Sequence, residues 1–131
     1  MKLSNLGIFL LRVGISSMMI FGHGWEKIIT FQVKAASFPD PFNISPTYSL
    51  ALSTFAEFFC AIAVLLGLLT RFATIPLIIN MAVAVFVIHG LDPFKVKEKA
   101  VLYLLTYVFI AIVGPGRFSL DELLKKKKTL F

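Results

Sequence analysis

Cysteine and charged residues are both scarce in this chain of 131 residues. The single cysteine, Cys60, excludes an intrachain disulfide and a CxxC redox pair. Only 15% of the residues are charged and 58% are hydrophobic, whereas soluble domains average about 25% charged and about 45–50% apolar residues. So little charge cannot coat a water-facing surface, and a soluble domain is therefore excluded. The composition predicts a protein that folds in a membrane.

Long apolar stretches with few charged residues run through the sequence. A helix needs roughly 20 residues to cross the hydrocarbon core of a bilayer. Four segments approach or meet this length, at about residues 5–27, 47–69, 72–89 and 97–114. The sequence contains no evident internal repeat. We therefore predict a single all-α domain over residues 1–131, a four-helix transmembrane bundle with antiparallel neighbours.

Capping signals mark several of the predicted helix ends. Ser45 followed by Pro46 is typical of an N-cap and first residue, here of the second helix. The GPG sequence at residues 114–116 ends the fourth helix, and an S-x-x-E capping box begins at Ser119. A short amphipathic helix over about residues 119–128 is predicted to lie at the inner membrane interface. Its positive residues favour anionic lipid, and not nucleic acid, as a partner; they are Lys125, Lys126, Lys127 and Lys128.

The distribution of positive charge predicts the orientation. Four crossings place both termini on one side, together with Lys2, Arg71, Arg117 and the four-lysine run. The opposite side holds Lys27, Lys34, Lys95, Lys97 and Lys99. Because the positive residues favour the cytoplasm, we expect both termini there and the protein in a bacterial inner membrane. No A-x-A-like cleavage site follows the first apolar stretch, so we expect this helix to be retained.

Two charged residues lie inside the predicted spans, Arg12 in the first and Glu57 in the second. A charge at the centre of a spanning helix costs about 2.5–3.5 kcal/mol on insertion scales. One interpretation is a structural ion pair that joins the two helices, and the other is a functional site. At about 100° per residue, Arg12 and His23 lie about 20° apart on the first helix, and Ser53 shares a face with Glu57.

Ionisable residues from all four helices are predicted to meet in the outer half of the bundle, where apolar walls around them would form a ligand pocket. The predicted ligand-binding residues are Arg12, His23, Lys27, Glu57, His89 and Glu98, with Arg12 at the floor. The candidates for catalytic proton transfer are His23, Glu57, His89 and Glu98. Asn80 lies about 180° from His89 on an ideal helix, so only a helix distortion would bring both into this site.

Several motifs, taken in order, carry a family resemblance. They are HGWEK at 23–27, AEFFCAIAVLLGLLTR at 56–71, His89, KEKAVLYLL from Lys97 and GPGRFSLD at 114–121. In this order they resemble the DoxX family of small bacterial membrane proteins. The resemblance implies a four-helix membrane bundle. It also implies a link to redox systems, since the family takes its name from a subunit associated with a quinone-linked oxidase.

Three functions follow as hypotheses. The leading one is a membrane component of an oxidoreductase system that binds a quinone or a similar lipophilic molecule. No flavin motif or cluster-ligand set is evident, and two histidines do not indicate a metal site, so a soluble or membrane redox partner would supply the electrons. The second hypothesis is a binding or transport module for a small solute, in which transport would require a homo-oligomer because paired repeats are lacking. The third is a scaffold that recruits soluble redox enzymes to the membrane.

Overall fold

The structure is a computed structural model that describes residues 3–130, with side chains described for residues 3–126. Within this range every regular element is a helix, which confirms the all-α prediction. The helices are α1 (Leu3–Ile29), α2 (Phe31–Lys34), α3 (Pro46–Leu66), α4 (Thr70–Ile88), α5 (Phe94–Val113) and α6 (Leu120–Leu130). The side chains of Lys2, Lys127 and Lys128, which entered the charge count above, lie outside the described residues.

Three of the helices, α1, α3 and α4, are long and apolar enough to cross a membrane. The fifth helix has a similar length, but charged residues occupy its first two turns: Lys95, Lys97, Glu98 and Lys99. A fourth crossing therefore stays a prediction, as does the position of α6 at the membrane interface.

The polarity of the molecule is reversed relative to a soluble protein. Large apolar side chains cover the exterior, and Phe21, Phe86 and Ile112 are each more than 70% exposed. The charged side chains of Arg12 and Glu57 are buried instead. The core between the long helices is formed by Met19, Ala61, Val64, Leu77, Tyr107 and Ile110. An apolar exterior of this kind suits a lipid environment and not water.

Each of the three spanning helices contains a π-helical turn, at Ile20–Gly24 in α1, Phe55–Cys60 in α3 and Ala84–Ile88 in α4. A π-helical turn closes with i→i+5 hydrogen bonds, so it holds more residues than an α-helical turn and rotates everything that follows it. Angles calculated at 100° per residue therefore fail across these turns. The turn in α4 separates Asn80 from His89 and is the distortion that allows both to face the same site.

The predicted N-caps of α3 and α6 are confirmed. Ser45 Oγ accepts a hydrogen bond from the Tyr48 N–H at 3.2 Å, and Pro46 is the first residue of α3. Ser119 Oγ accepts from the Glu122 N–H at 3.3 Å, at the start of α6.

Helix α3 ends at Leu66, and the chain turns at Gly67 toward the start of α4. Gly67 has φ of +72°, a left-handed conformation that glycine adopts without strain. The Leu68 N–H donates to Ala63 O and the Gly67 N–H to Val64 O, the pair of bonds known as the Schellman motif. A Cβ at Gly67 would lie 2.3 Å from the Ser119 Cβ. The turn therefore also depends on glycine to let residues 114–121 pack against it.

Arg12 and Asp121 hold this turn from both sides. The Arg12 guanidinium donates to the carbonyls of Val64 at 2.8 Å, of Leu65 and of Phe118. Asp121 accepts from the Leu69 N–H at 2.7 Å, and from the N–H and hydroxyl of Thr70 at 2.9 and 2.8 Å. A helix leaves carbonyls unpaired at its C-terminus and N–H groups unpaired at its N-terminus. Arg12 therefore satisfies the last carbonyls of α3, and Asp121 satisfies the first N–H groups of α4.

The proposed Arg12–Glu57 ion pair is therefore wrong. Arg12 bonds to backbone carbonyls at the C-terminal end of α3, and Glu57 lies more than a turn earlier in that helix, with partners of its own. The interpretation failed because a buried cation can be satisfied by carbonyl oxygens as well as by a carboxylate.

Gly67→Ala should lower the stability of the fold by about 1–3 kcal/mol, because alanine is strained in the left-handed region. The matched control is Gly14→Ala in α1, where a Cβ would have nothing within 4 Å and the helix gains propensity of about 0.5–1 kcal/mol. Thermal unfolding in detergent measures both. Equal effects of the two substitutions would contradict this account of the turn.

Candidate functional site

Glu57 is the centre of a polar cluster that joins three helices. Its carboxylate is buried within the π-helical turn of α3. Oε1 accepts a hydrogen bond from Lys27 Nζ of α1 at 2.8 Å. Oε2 accepts from Ser53 Oγ, one turn earlier in α3, and from Asn80 Nδ2 of α4 at 2.8 Å. A buried carboxylate needs a countercharge and filled lone pairs, and this arrangement supplies both.

Close approach of α1 to α3 makes the Lys27–Glu57 contact possible. Gly24 lies one turn before Lys27 and is buried against the backbone of α3. A Cβ at this position would lie 2.3 Å from the Glu57 carbonyl oxygen and 2.9 Å from the Phe58 Cα. Backbone atoms cannot move aside as a flexible side chain can, so a larger residue at Gly24 would separate the two helices.

His23 lies beside the cluster, in the π-helical turn of α1. Its Nδ1 is 4.0 Å from Glu57 Oε1, beyond hydrogen-bond distance. The imidazole ring packs edge-to-face on Tyr103 of α5, with 5.5 Å between the ring centroids. Through these contacts His23 brings α5 into the same group of side chains.

A cavity of about 710 Å³ lies next to the cluster, within the range of about 300–1,000 Å³ typical of small-molecule sites. Most of its walls are apolar side chains from α3, α4, α5 and the loop before α3. Polar side chains that reach it include His23, Lys27, Glu57, Asn80, His89 and Lys99. The arrangement suits a lipophilic molecule that carries a polar group.

The loop between α2 and α3 forms one wall of the cavity, through Phe38, Pro39, Pro41, Phe42 and Ile44. Asp40 folds this loop: its carboxylate accepts from the N–H groups of Ile44 and Ser45 at 3.0 and 2.9 Å and from Ser49 Oγ at 2.8 Å. Desolvation raises the pKa of Asp40, but the hydrogen bonds from Ser49, Ser45 and Ile44 outweigh it, so the pKa lies below its usual value. Ser45 has φ of +106°, an unfavourable conformation that these bonds maintain.

Four of the six predicted ligand-binding residues border this single cavity: His23, Lys27, Glu57 and His89. The other two do not. Arg12 lies at the α3–α4 turn and not at the cavity floor. Glu98 is exposed on α5 and does not border the cavity, although Lys99 beside it does.

Four features of the cavity were not predicted from the sequence, namely Asn80, Lys99, Tyr103 and the loop. Asn80 was set aside on an ideal helical wheel, and the π-helical turn in α4 removes that objection. The one signal for Asn80 in the sequence is that a carboxamide lies within a predicted span that has no charged residue. Tyr103 is buried, packs against His23 and also borders the cavity. Nothing in the sequence indicates that the loop would fold over the cavity.

The exterior is apolar, and it surrounds a buried carboxylate, the partly buried ammonium paired with it and an adjoining cavity. These features define a helical membrane protein with an internal polar site. The chain belongs to the DoxX family, whose sequence profile matches residues 7–90, more than half of the chain. The resemblance drawn from its motifs is thereby confirmed.

Three relatives are similar to this chain. An uncharacterized protein of Haemophilus influenzae is 31% identical over 96 residues, covering 68% of this chain and 62% of the relative. An uncharacterized membrane protein of Mycobacterium tuberculosis is 35% identical over 97 residues, covering 63% of this chain and 60% of the relative. The inner membrane protein YqjF of Escherichia coli is 28% identical over 130 residues, covering 96% of this chain and 98% of the relative. The chain thus spans less than two thirds of the first two relatives. No solved structure matches it significantly.

A double-mutant cycle should separate the two buried charges. Lys27→Met and Glu57→Gln share one contact, so we expect a coupling energy of about 0.5–3 kcal/mol in detergent unfolding. Arg12→Met and Glu57→Gln share no partner and should add to within about 0.5 kcal/mol. Coupling of the second pair, or additivity of the first, would contradict the contacts described above.

Asp40→Asn should open the loop over the cavity, since the substitution removes the charge that three donors stabilise. Amide hydrogen exchange at Ile44 and Ser45 should accelerate at neutral pH, and Asp92→Asn, outside the loop, should leave it unchanged. In the unmodified protein the lowered pKa means that the stabilisation is complete above the ordinary aspartate pKa of about 3.9 and is lost as the pH falls through the lower native value. Titration of the two amide chemical shifts measures this loss, and a loop that opens between pH 5 and 7 would contradict it.

Proposed function

We propose that this protein binds a lipophilic small molecule with a polar head, a quinone or a molecule of similar shape, as the membrane component of an oxidoreductase system. The observation that carries the proposal is the cavity of about 710 Å³, with apolar walls for a ring or chain and the Glu57 cluster at its side. Carbonyl oxygens of a quinone accept hydrogen bonds, and Lys27, Asn80 and His23 have N–H groups to donate.

Reduction of a quinone to a quinol consumes two electrons and two protons. His23 has an imidazole ring that can carry or release a proton and adjoins both the cavity and Glu57, and the two residues would deliver the protons. The electrons would come from a separate redox protein, soluble or in the membrane. His23 and Glu57 are therefore the residues to which the proposal assigns proton transfer.

The proposal includes four crossings of an inner membrane, the location that the name of the Escherichia coli relative states for that protein. The uncharged part of α5 begins at Ala100, so the lysines before it would extend their stems to reach the interface. Both termini would lie in the cytoplasm, with α6 on the inner surface and its lysines on anionic lipid. The cavity would then open in the outer half of the bilayer.

A bulky side chain introduced at the cavity wall tests whether a ligand binds there. Ala84 borders the cavity, and Ala82 in the same helix does not. A menaquinone or ubiquinone analogue with a short isoprenoid tail, measured by calorimetry in detergent, should bind to the unmodified protein and to Ala82→Phe. Ala84→Phe should weaken binding by about tenfold or more, because the added ring overlaps the ligand. Failure of all such quinones to bind, or equal affinity in both variants, would overturn the proposal.

A further inference from the structure

The polar groups around the cavity differ in how much hydrogen-bonding capacity they have left. Glu57 is the one carboxylate among the described residues that border the cavity, and three protein donors already occupy it: Lys27, Ser53 and Asn80. Little accepting capacity therefore remains on this carboxylate.

Donors, in contrast, remain available. An ammonium has three N–H groups, and the Lys27 ammonium uses one of them in its contact with Glu57. Asn80 Nδ2 has a second N–H beyond the one given to Glu57. The other side-chain acceptors at the cavity wall carry no negative charge: they are the Asn80 carbonyl oxygen, hydroxyl oxygens and histidine ring nitrogens.

The charged side chains around the cavity include more cations than anions. Lys27 and Glu57 neutralise each other at 2.8 Å. Lys99 also borders the cavity and forms no ion pair with any residue whose side chain the structure describes. Two lysines and one glutamate thus border the cavity, and their charges sum to one excess positive charge.

We propose that the head group bound in this cavity is an oxyanion on a lipophilic ring, and that Lys27 is the residue that contacts it. This inference rests on the proposed function and deepens it by naming the charge of the ligand. Charge-assisted hydrogen bonds are roughly twice as strong as neutral ones. An ionised hydroxyquinone should therefore bind more tightly than a neutral quinone of the same shape, and an amine in the same place should gain nothing.

Three naphthoquinones with one alkyl tail test this. They carry a hydroxyl, a methoxy or an amino group at the same carbon of the quinone ring, next to a carbonyl. The hydroxyl compound is ionised at neutral pH because a hydroxyl group in this position is a vinylogous carboxylic acid. Calorimetry on the full chain in detergent should give at least about tenfold tighter binding for the hydroxyl compound than for the methoxy compound. The amino compound should bind no more tightly than the methoxy compound.

Variants then assign the contact. Lys27→Met should abolish the preference for the ionised compound, and Lys27→Arg should retain it. The matched control is Lys97→Met on α5, since Lys97 donates to the Gly90 carbonyl and does not border the cavity. If Lys27→Met fails to fold, Lys27→Gln takes its place, because glutamine keeps an N–H donor for Glu57 but carries no charge, and it should also abolish the preference. The comparison of the three compounds on the unmodified protein decides the charge of the ligand in either case.

The outcomes separate this inference from the proposed function. Equal binding of the three compounds would overturn the inference and leave the proposed function standing. No binding of any of them, together with no binding of neutral quinones, would overturn both. A preference that persists in Lys27→Met would overturn the assignment to Lys27.

Discussion

The turn between α3 and α4 depends on a cation and an anion placed at opposite helix ends. Arg12 donates to the last carbonyls of α3, and Asp121 accepts from the first N–H groups of α4. The dipoles of the two helices favour these charges in these places. Arg12 belongs to α1 and also donates to the Phe118 carbonyl, so α1, the α3–α4 turn and the segment after α5 are joined by one network.

Because Arg12 is bound at the turn, the buried Glu57 forms a second, separate polar group in the bundle. With Arg12 engaged at the turn, Glu57 requires another countercharge, which Lys27 provides from the last turn of α1. The fold therefore contains two separate buried charges, each with its own partners. The Arg12 network holds helices together through backbone groups, whereas the Glu57 cluster borders a cavity.

The π-helical turns determine which side chains face the cavity. His23 and Glu57 lie within such turns, and a third turn separates Asn80 from His89. Wider turns are less favourable than regular α-helix and are frequent at functional sites. Here they bring side chains from three helices to one level, where Gly24 allows two of the backbones to touch. The loop held by Asp40 then completes the wall around an otherwise open space.

The sequence by itself determined the membrane class, the all-helical fold, the N-caps at Ser45 and Ser119, and the need of Arg12 and Glu57 for protein partners. These properties depend on hydropathy and on residues within a few positions of each other, which a sequence shows directly. Only the tertiary structure decided which partners the two charges have. Arg12 meets the Phe118 carbonyl, 106 residues away in the chain, and a backbone carbonyl has no signature in the sequence. Asn80 joins Glu57 because π-helical turns change the rotation of the helices, and that change depends on packing between helices and not on local composition.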